Sequence, residues 1–144
     1  MPALELAVQG GSRFAGLPAR ATLKRWVSAA LDRDAAITLR FVDAREARRL
    51  NRDYRGKDYA PDILTFAYAL APVARADIVV CPAVVARAAR KRKLPVRNHL
   101  AHLVVHGTLH ALGHEHDHAA AARAMESREV MVLAGLGFDD PYAG

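Results

Sequence analysis

All seven histidines of this 144-residue chain fall between His99 and His118, and from His106 to His118 the sequence reads His-Gly-Thr-Leu-His-Ala-Leu-Gly-His-Glu-His-Asp-His. His106 and His110 are four residues apart. On a helix turning about 100° per residue they lie one turn apart and only about 40° apart around the axis, so both imidazoles face one ion. A third ligand ten residues after His106 would lie about 80° off that face and about 15 Å further along if the helix continued. Gly113 predicts that it does not continue. Glycine adopts the left-handed conformation that ends a helix at little cost, which lets the chain fold back and return His116 toward the first two. The window therefore requires a helix over about Val96 to Leu112, a glycine turn and a returning ligand.

Three neutral imidazoles with an open fourth position describe a catalytic zinc site better than a structural one, which four protein ligands normally close. Two rivals stand beside His116. His114 would lie about 12 Å from His106 along a continued helix, too far for one ion; His118 is a substitute ligand or a group behind the ligands. Asp117 and Glu115 are carboxylates that could orient an imidazole. His99 and His102 read as core or surface histidines. The spacing is also that of the metalloprotease pattern His-Glu-x2-His-x2-Gly-x2-His, but Gly107 stands where that chemistry needs its glutamate base.

The rest of the chain supplies a frame. Residues 3–9 alternate and end at Gly10-Gly11, which predicts an edge strand; 36–42 alternate again; Ile63–Phe66 and Asp77–Cys81 are two more strands. Helices are expected over about Pro18–Leu31, with Trp26 in the core, from a cap at Asp43 to Asn51, over Ala83–Lys93 and over Ala119–Ala134. Glu46, three residues after Asp43, reads as a capping box, and residues 50–59 read as a polar, turn-rich segment. The fold class is α+β: a single domain over 1–144 with a mixed sheet of about four strands flanked by helices, the metal site lying at the end of a central helix.

No apolar run approaches the roughly 20 residues of a membrane span, and Met1-Pro2-Ala3-Leu4-Glu5 lacks the pattern of a signal peptide. Cys81 is the single cysteine, so no internal disulfide is possible and a reducing cytoplasm is expected. Twenty-one basic residues against fifteen acidic ones leave a net charge of +6, which favours a polyanionic partner, nucleic acid first. Two basic groups could serve it: Arg52, Arg55 and Lys57 in the turn-rich segment, and Arg87, Arg90 and Lys91 on the helix after Pro82. A guanidinium grips phosphate oxygens with two donors and stabilises charge growing on them.

Leu50-Asn51-Arg52-Asp53-Tyr54-Arg55-Gly56-Lys57-Asp58, Ile63-Leu64-Thr65-Phe66, Asp77-Ile78-Val79-Val80-Cys81 and the histidine window together resemble the YbeY family of bacterial single-strand-specific endoribonucleases, the rRNA maturation factors. The resemblance runs over about residues 36–142. It implies that His106, His110 and His116 hold one zinc ion, and that Arg55 is the family's functionally important arginine. It also implies a cytoplasmic role in maturing the 3′ end of 16S rRNA and in ribosome quality control, with single-stranded RNA, the 16S precursor and small-subunit or assembly proteins as partners. This chain departs from the family in carrying His114-Glu115 before the third histidine and Ala60-Pro61 before the third strand. The alternatives are a metal-dependent hydrolase of another substrate, metalloprotease-like, and a non-catalytic zinc-stabilised assembly factor.

Overall fold

Period-two alternation of apolar residues builds the sheet. In β2 (Ala35–Phe41) every odd-numbered residue is buried and every even-numbered one is half-exposed, which fixes its register against both neighbours. The computed structural model describes residues 1–143. Among them, β1 (Leu4–Gln9), β2, β3 (Ile63–Ala69) and β4 (Ala74–Val80) form one sheet in the order β1-β2-β4-β3. β1 and β2 run parallel, as do β2 and β4, while β3 returns antiparallel along β4. The expected mixed sheet of four strands is present, with β1 and β3 at its edges.

Five α-helices accompany it among the described residues: α1 (Arg20–Ala29), α2 (Ala44–Arg55), α3 (Pro82–Lys91), α4 (Val96–Ala111) and α5 (Ala119–Gly135). α4 contacts β3, β4, α1, α3 and α5. Its residues are accordingly buried almost all round, from His99 to Ala111. A helix buried on almost every side belongs in the middle of a molecule, and this one is its axis. Leu100, Val104 and Leu109 meet Ile37, Leu39 and Ile78 from the sheet and Trp26 from α1 in the main core. A smaller cluster, with Val42, Ala47, Leu64 and Val79, lies under α2 on the other face.

Three expectations needed correction. Residues 50–55 are helical rather than turn-rich, because α2 runs on to Arg55 and ends where Gly56 takes a left-handed φ of 70°. Asn51, fully buried, donates to the carbonyl of Tyr59 at 3.0 Å and ties the following loop back to the helix. Arg52 and Arg55 therefore project from a last helical turn. At the start of α2, Asp43 accepts the Glu46 N–H at 2.9 Å, but the Glu46 carboxylate pairs with Arg40, so only half of the capping box forms. β3 also runs past the expected Phe66 and β4 starts before the expected Asp77, since Ala67 pairs with Ala76 and Ala69 with Arg75 across the hairpin, and β4 ends at Val80 rather than Cys81.

Candidate metal centre

α4 ends in a Schellman turn. Gly113, at φ 94°, lets its own N–H reach the His110 carbonyl at 3.0 Å and the His114 N–H reach the Leu109 carbonyl at 3.0 Å. The chain reverses there. The returning segment sets His116 beside the helix, with its ring centroid 4.9 Å from that of His110 and 5.8 Å from that of His106. One ligand atom from each of His106, His110 and His116 lies within 4.8 Å of the others. His114 contributes backbone: its carbonyl accepts from His110 Nδ1 at 2.9 Å. His118 is the N-cap of α5, with Nδ1 accepting the Ala121 N–H at 3.2 Å.

The hydrogen bonds settle which nitrogens face the ion site. A carbonyl only accepts, so His110 Nδ1 carries its proton and Nε2 keeps a lone pair. His106 Nδ1 lies 2.5 Å from Glu129 Oε1, and that carboxylate is held ionised, which makes this Nδ1 a donor too. The two Nε2 atoms, the ring nitrogens left free of protein carbonyl and carboxylate, then face each other at 3.1 Å. A cation placed between them would be held by a lone pair from each ring. A tetrahedral zinc with Zn–N bonds of about 2.0 Å sets ligand nitrogens about 3.3 Å apart, close to the separation here. Burial, then the neighbouring His106 and His116, pushes His110 below the usual imidazole range, favouring the neutral form a metal ligand requires. The donor set fits a divalent ion.

Glu129 is the residue that sequence reasoning missed. It lies on α5, is fully buried, and binds through both oxygens: Oε1 to His106, Oε2 to His102 Nε2 at 2.9 Å and to the Tyr142 hydroxyl, which donates to it. Burial alone would raise its pKa, but the bonds from His102, His106 and Tyr142 prevail and hold it at about 2. The same burial and the adjacent carboxylate push the Tyr142 hydroxyl up. A signal was present: Glu129 shares the buried stripe of Met125, Val132 and Leu133, where a carboxylate is out of place without partners. Asp117 and Glu115 do not take this role; the His106 and His110 imidazoles are oriented by Glu129 and by a backbone carbonyl.

Gly107 has a packing reason. A Cβ there would stand 2.8 Å from Ile63 Cδ1, 3.1 Å from Ile78 Cγ2 and 3.2 Å from Thr65 Oγ1. The helix lies directly on the sheet at that point, leaving no room for a metalloprotease glutamate.

The histidines open into a cleft of about 660 Å³ whose walls include Tyr54, Arg55, Thr65, Phe66 and Glu115. Arg55, from the end of α2, is thus on the same cleft as the three histidines. Arg52 and Lys57 are exposed nearby but do not line it, and Arg87, Arg90 and Lys91 lie exposed on α3, also outside it.

Residues 17–137 match the family model described as Endoribonuclease YbeY. The chain is 54% identical to an endoribonuclease YbeY of Cupriavidus pinatubonensis, covering 98% of this chain and 73% of the relative. It is 52% identical to that of Methylibium petroleiphilum, covering 99% and 96%. A solution structure of a Thermotoga maritima protein superposes with a TM-score of 0.58 over 96% of this chain and 99% of its own, at 24% identity, which speaks to the fold. Half the residues shared with full-length relatives, together with a family match across most of the domain, place the chain in the YbeY endoribonuclease family.

Proposed function

We propose that this protein is a zinc-dependent endoribonuclease that cuts single-stranded RNA, with His106, His110 and His116 as the metal ligands and Arg55 as the catalytic arginine. One observation carries the reading: two imidazole Nε2 atoms facing each other at 3.1 Å, with a third imidazole and an arginine on the same open cleft. An ion bound there supplies Lewis acidity at a scissile phosphate and lowers the pKa of water toward neutrality. The chain's own groups do the rest. Glu129 and the His114 carbonyl fix the two helical imidazoles with Nε2 toward the ion. Arg55 grips phosphate oxygens and stabilises the charge that grows on them. Glu115, exposed at the cleft, is the carboxylate at hand for proton transfer.

Arg52, Lys57, Arg87, Arg90 and Lys91 add a positive field that draws RNA in without contacting the reacting phosphate. Family membership supports the 16S rRNA precursor, at its 3′ end, as the substrate in a cytoplasmic role in ribosome maturation and quality control, with small-subunit proteins as partners. No helix among the described residues is long and apolar enough to cross a membrane. The filled space at Gly107 counts against proteolysis, and the open cleft beside the ligands counts against a zinc that only holds the fold.

The test compares metal content and cleavage of single-stranded RNA, duplex RNA and casein, with and without chelator. His116→Ala should lose zinc and cleavage together. Arg55→Ala should keep its zinc and lose at least tenfold in RNA cleavage. Full metal content in the His116 variant, or unchanged turnover without Arg55, would overturn the assignment of that residue.

A further inference from the structure

The metal cleft does not end at the metal. It shares Tyr54, Thr65, Phe66 and Ala67 with a second cavity of about 590 Å³, on the sheet face beyond β3, which also takes in Arg40, Tyr68 and Asp77. Tyr68 and Asp77 in turn border a third cavity of about 340 Å³ that reaches Thr38 and Arg75. These three spaces form a continuous groove from the histidines, past the edge strand β3, onto the part of the sheet that α2 leaves uncovered.

Aromatic rings mark that groove. Tyr54 is 71% exposed and Tyr68 68% exposed, and Phe66 lies half-buried between them in sequence and in space. Tyr54 stands edge-on to Phe66, with ring centroids 5.4 Å apart. Tyr68 is anchored by its hydroxyl, which donates to Asp77 Oδ2 at 2.7 Å across the hairpin. Anchored rings with free faces are prepared to stack on planar groups at little further cost in side-chain entropy. Arg40 and Arg75 lie along the same groove; Arg75 has no salt-bridge partner among the described residues, and Arg40 is braced by Glu46. Asp77 is engaged by Tyr68; of the other bordering carboxylates, Glu5 lies at the far end and Asp62 and Glu115 lie at the histidine end, away from Arg40 and Arg75.

We infer that this groove is the binding track for the single-stranded RNA flanking the cleaved bond, with unpaired bases stacked on Tyr54, Phe66 and Tyr68 and the backbone followed by Arg40 and Arg75. The inference rests on RNA being the substrate, and it supplies a physical reason for single-strand preference. Bases in a duplex are stacked on one another and cannot offer their faces to a protein ring, whereas bases in a loose strand can. The basic face of α3 lies outside the groove and attracts any polyanion, so it cannot make that distinction.

The experiment measures binding of the zinc-loaded protein to a single-stranded oligoribonucleotide carrying 2-aminopurine, and to a hairpin duplex, with cleavage of the same strands followed in parallel. Tyr54→Ala and Tyr68→Ala should each weaken single-strand binding about tenfold, abolish part of the 2-aminopurine quenching, and leave duplex affinity and zinc content unchanged. Tyr54→Phe and Tyr68→Phe, which keep the rings, should restore most of the binding. Replacing Arg87, Arg90 and Lys91 together should instead weaken both strands alike and flatten the salt dependence. Wild-type protein that binds and cuts RNA while the alanine variants bind single strands as tightly as it does, or lose single strand and duplex equally, overturns the track alone. Wild-type protein that neither binds nor cuts RNA overturns the endoribonuclease reading as well.

Discussion

In the proposed metal site, Glu129 orients one ligand without being one itself. Its carboxylate holds the His106 ring by Nδ1 and is itself held by His102 and Tyr142. The result is a chain of bonds from the end of the protein to the ligand. Replacing Glu129 by Gln keeps the size but weakens the charge-assisted bond and puts an NH2 group among donors. Partners of this kind are worth about 10–100-fold in metal affinity. Competition titration of zinc against a chelator should find the Glu129→Gln protein weaker by that factor. Unchanged affinity would reduce Glu129 to a packing role. The side chain was not legible as a partner of His106 because the two are 23 residues apart and on different helices. Only their packing joins them.

At the scale of elements, the decisive piece is the turn that closes α4. Gly113 at φ 94° places both the His114 carbonyl, which orients His110, and His116, the third member of the proposed ligand set. A side chain at that φ is strained, at a cost of about 1–2 kcal/mol per residue. The protein can relieve this by unwinding the turn and displacing both groups. Gly113→Ala should therefore lower thermal stability by about that amount and lower zinc affinity more than Gly56→Ala, which has a comparable φ of 70° and no role at the metal. Equal zinc affinity in the two variants would detach the turn from the site. This element was legible: a glycine seven residues after one histidine and three before another permits few other readings. The end of α2 was not, because the polar stretch around Arg52 and Arg55 carries too few apolar residues to show helical period. Its helicity comes from Asn51 and from docking on the sheet.

At the scale of the whole molecule, the core carries a histidine it does not use in the metal site. His99 is 5% exposed, and neither of its ring nitrogens has a hydrogen-bond partner among the described residues. Burial, then nearby Arg92, pushes its pKa below the usual 6.5, with Asp62 opposing. The unfolded chain takes up this proton more readily than the folded one, so folding stability falls as pH drops below 6.5. His99→Leu removes both the unmatched nitrogens and the titration. Denaturant unfolding of the metal-free proteins should find the variant at least as stable as wild type at pH 7.5, with its advantage growing as the pH is lowered to 5.5. An advantage that does not change with pH would rule out His99 as a source of acid sensitivity.

The separation between what the sequence determined by itself and what the tertiary structure decided follows from the range of the interactions. Four-residue spacing, glycine's conformational freedom and period-two alternation act between near neighbours in the chain, so the stacking of His106 and His110 one helical turn apart, the turn, the returning His116 and the mixed four-stranded sheet could all be read from residue order. The presence of Arg55 on the histidines' cleft could not, because the packing of α2 and α4 on opposite faces of a shared sheet, and nothing local, puts it there. The same holds for Gly107, whose lack of a side chain looks like a missing base in the sequence and proves to be the contact that lets α4 lie against β3 and β4. Glu129 and the exposed tyrosines likewise acquire meaning only from what the fold places beside them.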